Sequence, residues 1–181
     1  MSLRPEDICI EDIAHHLALI NRFNGATKRP ISVAQHSVYV ARLCWDLSWE
    51  TQLQALLHDA TEAYLGDITK WLKNTPMFAA YRGLEFVTQD IIFKKFNCQI
   101  AMLPDAVVEA DRLMVRFEAS RGMKHALDVP DHLKNKYGLP TEEEKQRVGK
   151  WQPWSWKVSE DLFLAKFYAI TETKRPAPRT A

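Results

Sequence analysis

The sequence predicts an all-α helical bundle. Three observations carry that prediction. Apolar residues recur at spacings of three and four in one segment after another. The breaks between those segments hold glycine, proline or a capping serine. No segment alternates apolar and polar residues as a half-buried strand would. With 181 residues and 46% apolar content the chain has room for a substantial core, and residues 1–181 read as a single domain.

The elements follow in order. "IEDIAHHLALINRFNG" sets Ile10, Ile13, Leu17, Ile20 and Phe23 on one stripe, with Gly25 as the expected C-cap. Arg29-Pro30 breaks the chain, and Ser32 with Gln35 forms an S-x-x-Q capping box opening "VAQHSVYVARLCW". A third helix is expected over Thr51 to Leu65, ended by Gly66. "FAAYRGLEFVTQDIIFKKF" is a longer amphipathic segment that tolerates Gly83 at some cost. Pro104-Asp105 opens "AVVEADRLMVRFEASR". From about 122 to 153 the periodicity dissolves around Pro130, Gly138 and Pro140, leaving an irregular excursion with a short helix at Thr141–Val148. Ser159 is the expected cap of a last helix to about Thr171, with Val158 and Phe163 as a hydrophobic staple. The tail, 174–181, reads as disordered.

Composition narrows the function classes. A formal net charge of +1 gives no electrostatic pull toward nucleic acid polymers or acidic membranes. Cys9, Cys44 and Cys98 are odd in number, widely spaced and without a CxxC pattern, which fits reduced thiols filling a core. The polar start, "MSLRPEDICIED", does not read as a signal peptide, and no stretch approaches the ~18 apolar residues of a spanning helix. A cytoplasmic protein is the expectation.

Four polar residues interrupt apolar faces. His36 lies in a run of Val33, Val40 and Leu43; His58 and Asp59 directly follow "QALL"; Asp111 stands between Val107 and Met114. A single buried carboxylate is expensive and would neutralise or find a cation. Two imidazoles and two carboxylates on three helices suit one divalent cation (zinc, manganese, cobalt, iron or nickel) in a site that is more than structural. Glu62 follows Asp59 by three and His58 by four, so it shares their face. That places it to work on water at the ion, as a proton shuttle. His15 and His16 lie on the first helix, where one could approach the site but a surface or core role is the expectation; His125 and His132 carry no such spacing, and "WQPWSW" reads as packing against the bundle or a subunit neighbour.

The H…HD…D pattern of His36, His58-Asp59 and Asp111 resembles the HD-domain metal-dependent phosphohydrolases. Around it, "LINRFNG", "SVAQHSVYVARL", "LLHDATEAYLGDITKWLK" and "EADRLM" occur in the order seen in bacterial HD-type 5'-deoxynucleotidases. The chain is also similar to small phage HD proteins, which include dATP triphosphohydrolases. The resemblance covers about residues 8–120. It implies an HD-domain helical bundle with a metal site between helices, ligated by His36, His58, Asp59 and Asp111, and a catalytic role for Glu62. It further implies that Arg22 grips substrate phosphate, Phe23 lines the sugar pocket, Asp67 faces the sugar hydroxyl and Lys73 lies near the phosphates. Relatives often carry Lys three residues before the last ligand, where this chain has Val108.

The implied activity is hydrolysis of (2'-deoxy)nucleotides. It would release phosphate from a monophosphate or triphosphate from a dNTP, the latter with a possible second metal ion. A homo-oligomer is implied as well. Two readings from other classes stay open: a non-catalytic module that senses nucleotide, and a structural bundle whose His and Asp residues form a buried polar network.

Overall fold

A computed structural model describes residues 3–98, 102–123 and 138–173. It is all-α. Two isolated bridges, Asn21 with Ser32 and Thr27 with Met123, are the extended pairings among the described residues. The helices are α1 (Ile10–Leu19), α2 (Val33–Leu43), α3 (Trp49–Leu57), α4 (Glu62–Leu65), α5 (Lys70–Lys73), α6 (Ala79–Lys95), α7 (Asp105–Gly122), α8 (Glu142–Val148) and α9 (Trp156–Thr173). α9 packs on α1, α2 and α3, while α2 lies between α3 and α7. Leu17 of α1, Val40 of α2, Leu56 of α3, Ile92 of α6, Met114 of α7 and Phe163 of α9 meet in one core cluster, all fully buried. No helix among the described residues is long and apolar enough to cross a membrane.

Local chemistry explains most boundaries. Ser32 caps α2 by accepting from the Gln35 backbone N–H at 3.1 Å. The reciprocal half of the predicted capping box is absent. The Gln35 side chain instead donates to Gln152 O at 2.8 Å and accepts from Trp154 N at 2.9 Å, clamping the "WQPWSW" segment onto α2. Trp151 and Trp154 pack on the core, as expected of that segment. α8 starts at a complete capping box between Thr141 and Glu144. Cys44 and Cys98 are buried, Cys9 is half-buried, and all three are free.

Three expectations are corrected. α1 ends at Leu19 rather than at Gly25, because residues 20–22 leave the helix to pair with residues 31–33. Arg22 N donates to Ile31 O at 2.8 Å and Val33 N to Ile20 O at 3.1 Å. The third helix is not continuous to Leu65: residues 58–61 form a turn between α3 and α4. The last helix starts at Trp156, not Ser159. The Ser155 hydroxyl takes the Val158 N–H at 3.3 Å, and Ser159 is buried inside the helix, donating to Ser155 O. Val158 is exposed and makes no staple. The tail 174–181, His125, His132 and the rest of 124–137 lie outside the described residues.

Candidate metal centre

The turn after α3 shapes the site. Its bonds run from each N–H to the carbonyl three residues back: Ala60 N to Leu57 O, Glu62 N to Asp59 O, Ala63 N to Ala60 O. Three-residue turns put side chains at i and i+3 above one another, so Asp59 and Glu62 face the same way. His58 Nδ1 donates to Ala55 O at 2.8 Å, which fixes the ring and leaves Nε2 turned to the interior.

α2 and α7 supply the other walls. His36 is fully buried, and its Nδ1 donates to the Glu118 carboxylate at 3.2 Å to either oxygen. Its Nε2 lies 3.1 Å from Asp111 Oδ1 and 3.9 Å from Asp59 Oδ2. His58 Nε2 lies 3.2 Å from Asp59 Oδ2 and 3.9 Å from Asp111 Oδ1. His36, His58 and Asp59 present ligand atoms that all fall within 4.8 Å of one another. Donors held about 2.0–2.2 Å from one ion are roughly 3–3.5 Å apart at adjacent positions and roughly 4 Å apart across it. His36, His58 and Asp59 match that spacing, and Asp111 Oδ1 lies within it of both imidazole Nε2 atoms.

The donor set fits a divalent cation for a second reason. With both Nδ1 atoms donating elsewhere, each Nε2 aims its lone pair at carboxylate oxygens, a repulsive arrangement unless a positive charge sits between them. His58 Nε2 is buried and has no hydrogen-bond partner. Without an ion, protons take that place. Burial alone would lower His58, yet the close Asp59 carboxylate and then the charge of Asp111 outweigh it and carry the imidazole up to about 9. His36 also moves up, against its burial and Arg22, through Glu118 and Asp111. Burial would raise Asp59, but His58, His36 and Arg22 hold it far below the usual carboxylate range. Asp111 likewise overcomes burial and moves down through His36 and His58.

Glu62 is the opposite case. Burial pushes its carboxyl well up, and the charges of Asp59 and Asp67 add to that. Its Oε2 is buried without a hydrogen-bond partner. Asp67 also moves up, first through burial and then through Asp59, against Arg22 and Lys73. Among the residues expected to bind substrate, Lys73 Nζ sits 2.6 Å from Glu85 and 3.9 Å from Glu62. Arg22 is buried: Nε donates to Glu118 Oε2 at 3.0 Å and one terminal nitrogen reaches Asp59 Oδ2 at 3.4 Å. A two-pronged grip on phosphate would require the long Asp59 contact to open. Phe23 lies under the Arg22 guanidinium, 5.6 Å from its centroid, and packs against the Ala119–Met123 cluster. Phe23 and Asn24 both adopt the left-handed region, at φ 56° and 49°, which costs energy for residues with a Cβ.

Beside the ligands opens a cavity of about 450 Å³. His58, Asp59, Glu62 and Lys73 line one end, and Phe86, Gln89, Phe93, Leu103 and Val108 are among its other walls. Val108, where relatives of the resembled family often have Lys, is thus an apolar part of this wall.

Sequence reasoning missed Glu118. Fully buried, it holds the His36 ring and the Arg22 guanidinium at once. The available signal was its position seven residues after Asp111, two turns along the same face of α7. His15 and His16 take no part: His15 pairs with Glu160, and His16 donates to Ala63 O.

Two curated proteins are similar to the chain. It is 36% identical to the uncharacterized protein YfdR of Escherichia coli strain K12, over 64% of this chain and 62% of that protein. It is 39% identical to an uncharacterized protein of Rhodobacter capsulatus, over 65% of this chain and 64% of that one. The matches thus span less than two thirds of each relative's length. No protein-family model matches the chain.

Proposed function

We propose that the chain is an HD-type, divalent-metal-dependent phosphohydrolase acting on nucleotides, with 2'-deoxynucleotides as the substrate class. The observation that carries this reading is the cluster of His36, His58 and Asp59, with Asp111 within 3.9 Å of both imidazoles and the unbonded Glu62 Oε2 on the same face as Asp59. A structural polar network would satisfy both oxygens of a buried carboxyl, whereas Glu62 has Lys73 3.9 Å from one oxygen and leaves Oε2 without a hydrogen bond, free for water or substrate. Its raised proton affinity is the direction that general acid–base work near neutral pH requires.

A cation held by the four ligands would acidify water and offset charge on phosphate oxygens. Glu62 takes the proton of the attacking water as the new P–O bond forms, then returns it to the oxygen that leaves as the old P–O bond breaks. Arg22, anchored by Glu118, supplies a fixed positive charge beside the site and engages phosphate when its Asp59 contact opens. Asp67 is the group assigned to the sugar hydroxyl, and Lys73 the second cation near phosphate.

A homo-oligomer fits the exposed Leu84, Phe86 and Val87 of α6. Cytoplasmic placement is part of the same proposal.

The test is a screen of four dNMPs and four dNTPs, with ribonucleotide controls, against protein supplied separately with Mn²⁺, Co²⁺ and Zn²⁺. Phosphate from monophosphates makes the chain a 5'-deoxynucleotidase; triphosphate from a dNTP makes it a triphosphohydrolase. Metal-loaded protein that turns over none of them removes the proposal.

A further inference from the structure

A second, smaller cavity lies at the other end of α2. Its volume is about 260 Å³, and Tyr39, Arg42, Leu43, Trp45, Arg147 and Val148 line it. Leu43 follows His36 by seven residues, so the cavity is separated from the metal centre by two helical turns, about 10 Å.

Its charge is unbalanced. Neither Arg42 nor Arg147 makes an ion pair with any described residue. Nearby cations do pair: Arg116 of α7 lies 2.6 Å from Glu144, and Lys145 of α8 lies 2.6 Å from Glu142. Lys166 of α9 adds a third positive charge. Half-buried, it is pushed below its usual value by burial and then by Arg42, and no carboxylate opposes that shift. Asp46 is the acid adjoining the group, next to Trp45 in sequence.

The aromatic side is equally unusual. Trp45 is 72% exposed, although an indole of this size ordinarily buries most of its area. Arg42 stacks on the Tyr39 ring at 5.0 Å from the centroid, which orients the plane of its guanidinium. Tyr39 itself is held by its hydroxyl donating to Lys150 O at 2.8 Å and by Trp154, 5.2 Å away. The oriented Arg42 fork, with the exposed Arg147 guanidinium beside it on the cavity wall, suits the oxygens of a phosphate, and an exposed indole suits a planar ring.

We propose that this cavity binds a small phosphorylated compound bearing a planar ring, with phosphate on Arg42 and Arg147 and the ring on Trp45. The volume, slightly below the usual range of small-molecule pockets, is about that of one mononucleotide. This site does not depend on the metal centre or its chemistry.

The test is calorimetric titration of chelator-treated full-length protein with deoxyadenosine 5'-monophosphate and, separately, with inorganic phosphate. Chelation prevents turnover and weakens binding at the metal centre. One saturable nucleotide site is expected. An Arg42→Gln/Arg147→Gln double variant with unchanged circular dichroism should bind the nucleotide at least tenfold more weakly. Trp45→Ala should bring nucleotide affinity down to that of inorganic phosphate while leaving phosphate binding unchanged. Double-variant affinity equal to the wild type, or no nucleotide binding by the chelated wild type, overturns the proposal. Nucleotide affinity unmoved by Trp45→Ala overturns the placement of the ring.

Discussion

The candidate metal centre is assembled from two kinds of helical segment. α2 is unbroken, and it delivers His36 as one fully buried position within an ordinary apolar face. The segment from α3 to α4 breaks at residues 58–61, and the break delivers His58, Asp59 and Glu62 together. A regular helix already sets Asp59 and Glu62, three apart, on one face but turns the adjacent His58 and Asp59 about 100° apart; in the turn His58 Nε2 comes within 3.2 Å of Asp59 Oδ2 while Asp59 and Glu62 stay aligned. The difference shows how one protein separates two needs. A regular helix holds a ligand still through packing and an outer partner, here Glu118. An irregular turn supplies several groups to one point.

This contrast can be broken at either side. The largest effect belongs to the turn: Glu62→Gln keeps shape and removes the titrating group. It should lower kcat by about 100-fold or more while metal content stays at the wild-type level. A variant that loses metal and activity together would make Glu62 a ligand instead. On the α2 side, Glu118→Gln replaces the carboxylate that orients His36 and anchors Arg22. Metal affinity should fall about 10–100-fold, as for other outer-shell partners of a ligating imidazole. The buried Arg22 guanidinium also loses its counter-charge, so stability should fall by about 3 kcal/mol, read from urea unfolding. Unchanged metal affinity would sever Glu118 from the centre.

Ser32→Ala removes the cap that starts α2 and should cost about 1 kcal/mol without changing metal stoichiometry. The smallest effect lies far from the ligands. Glu144 is held below its ordinary value first by the Thr141 N–H, against burial, with Arg116 adding to the lowering. A depressed carboxylate contributes stability that is present above its unfolded pKa and lost as pH falls through its lower folded value. Glu144→Gln should therefore shrink the acid-side loss of stability in a pH series of thermal melts. An identical acid limb would show that this cap carries no stability.

Much of this was legible in the chain. His36, His58, Asp59 and Asp111 intrude on apolar stripes, and the structure brings all four together. α6, α7 and α8 start where sequence signals place them, to within a residue or so. The break at 58–61 was not legible, because "HDATEA" contains no glycine or proline, and weak formers such as His, Asp and Thr do not by themselves end a helix. The end of α1 was missed for a related reason. Ile20 continues the apolar stripe, and only its pairing with the chain before α2, distant in sequence, pulls it out. Glu118 carried the right spacing from Asp111, but charged residues on helices usually face water, and nothing local marks this one as buried. Ser159 mimicked a cap; the true cap, Ser155, lies four residues earlier, between two tryptophans.

The central claim is that His36, His58, Asp59 and Asp111 form one divalent-metal site. Elemental analysis of the purified chain, after incubation with Mn²⁺, Co²⁺ or Zn²⁺ and removal of excess ion, tests it most directly beside a His58→Gln control. The account predicts about one ion per chain in the wild type and near none in the control. Wild-type protein that retains no more metal than His58→Gln would contradict it, and the four residues would then be a buried polar network held together by protons.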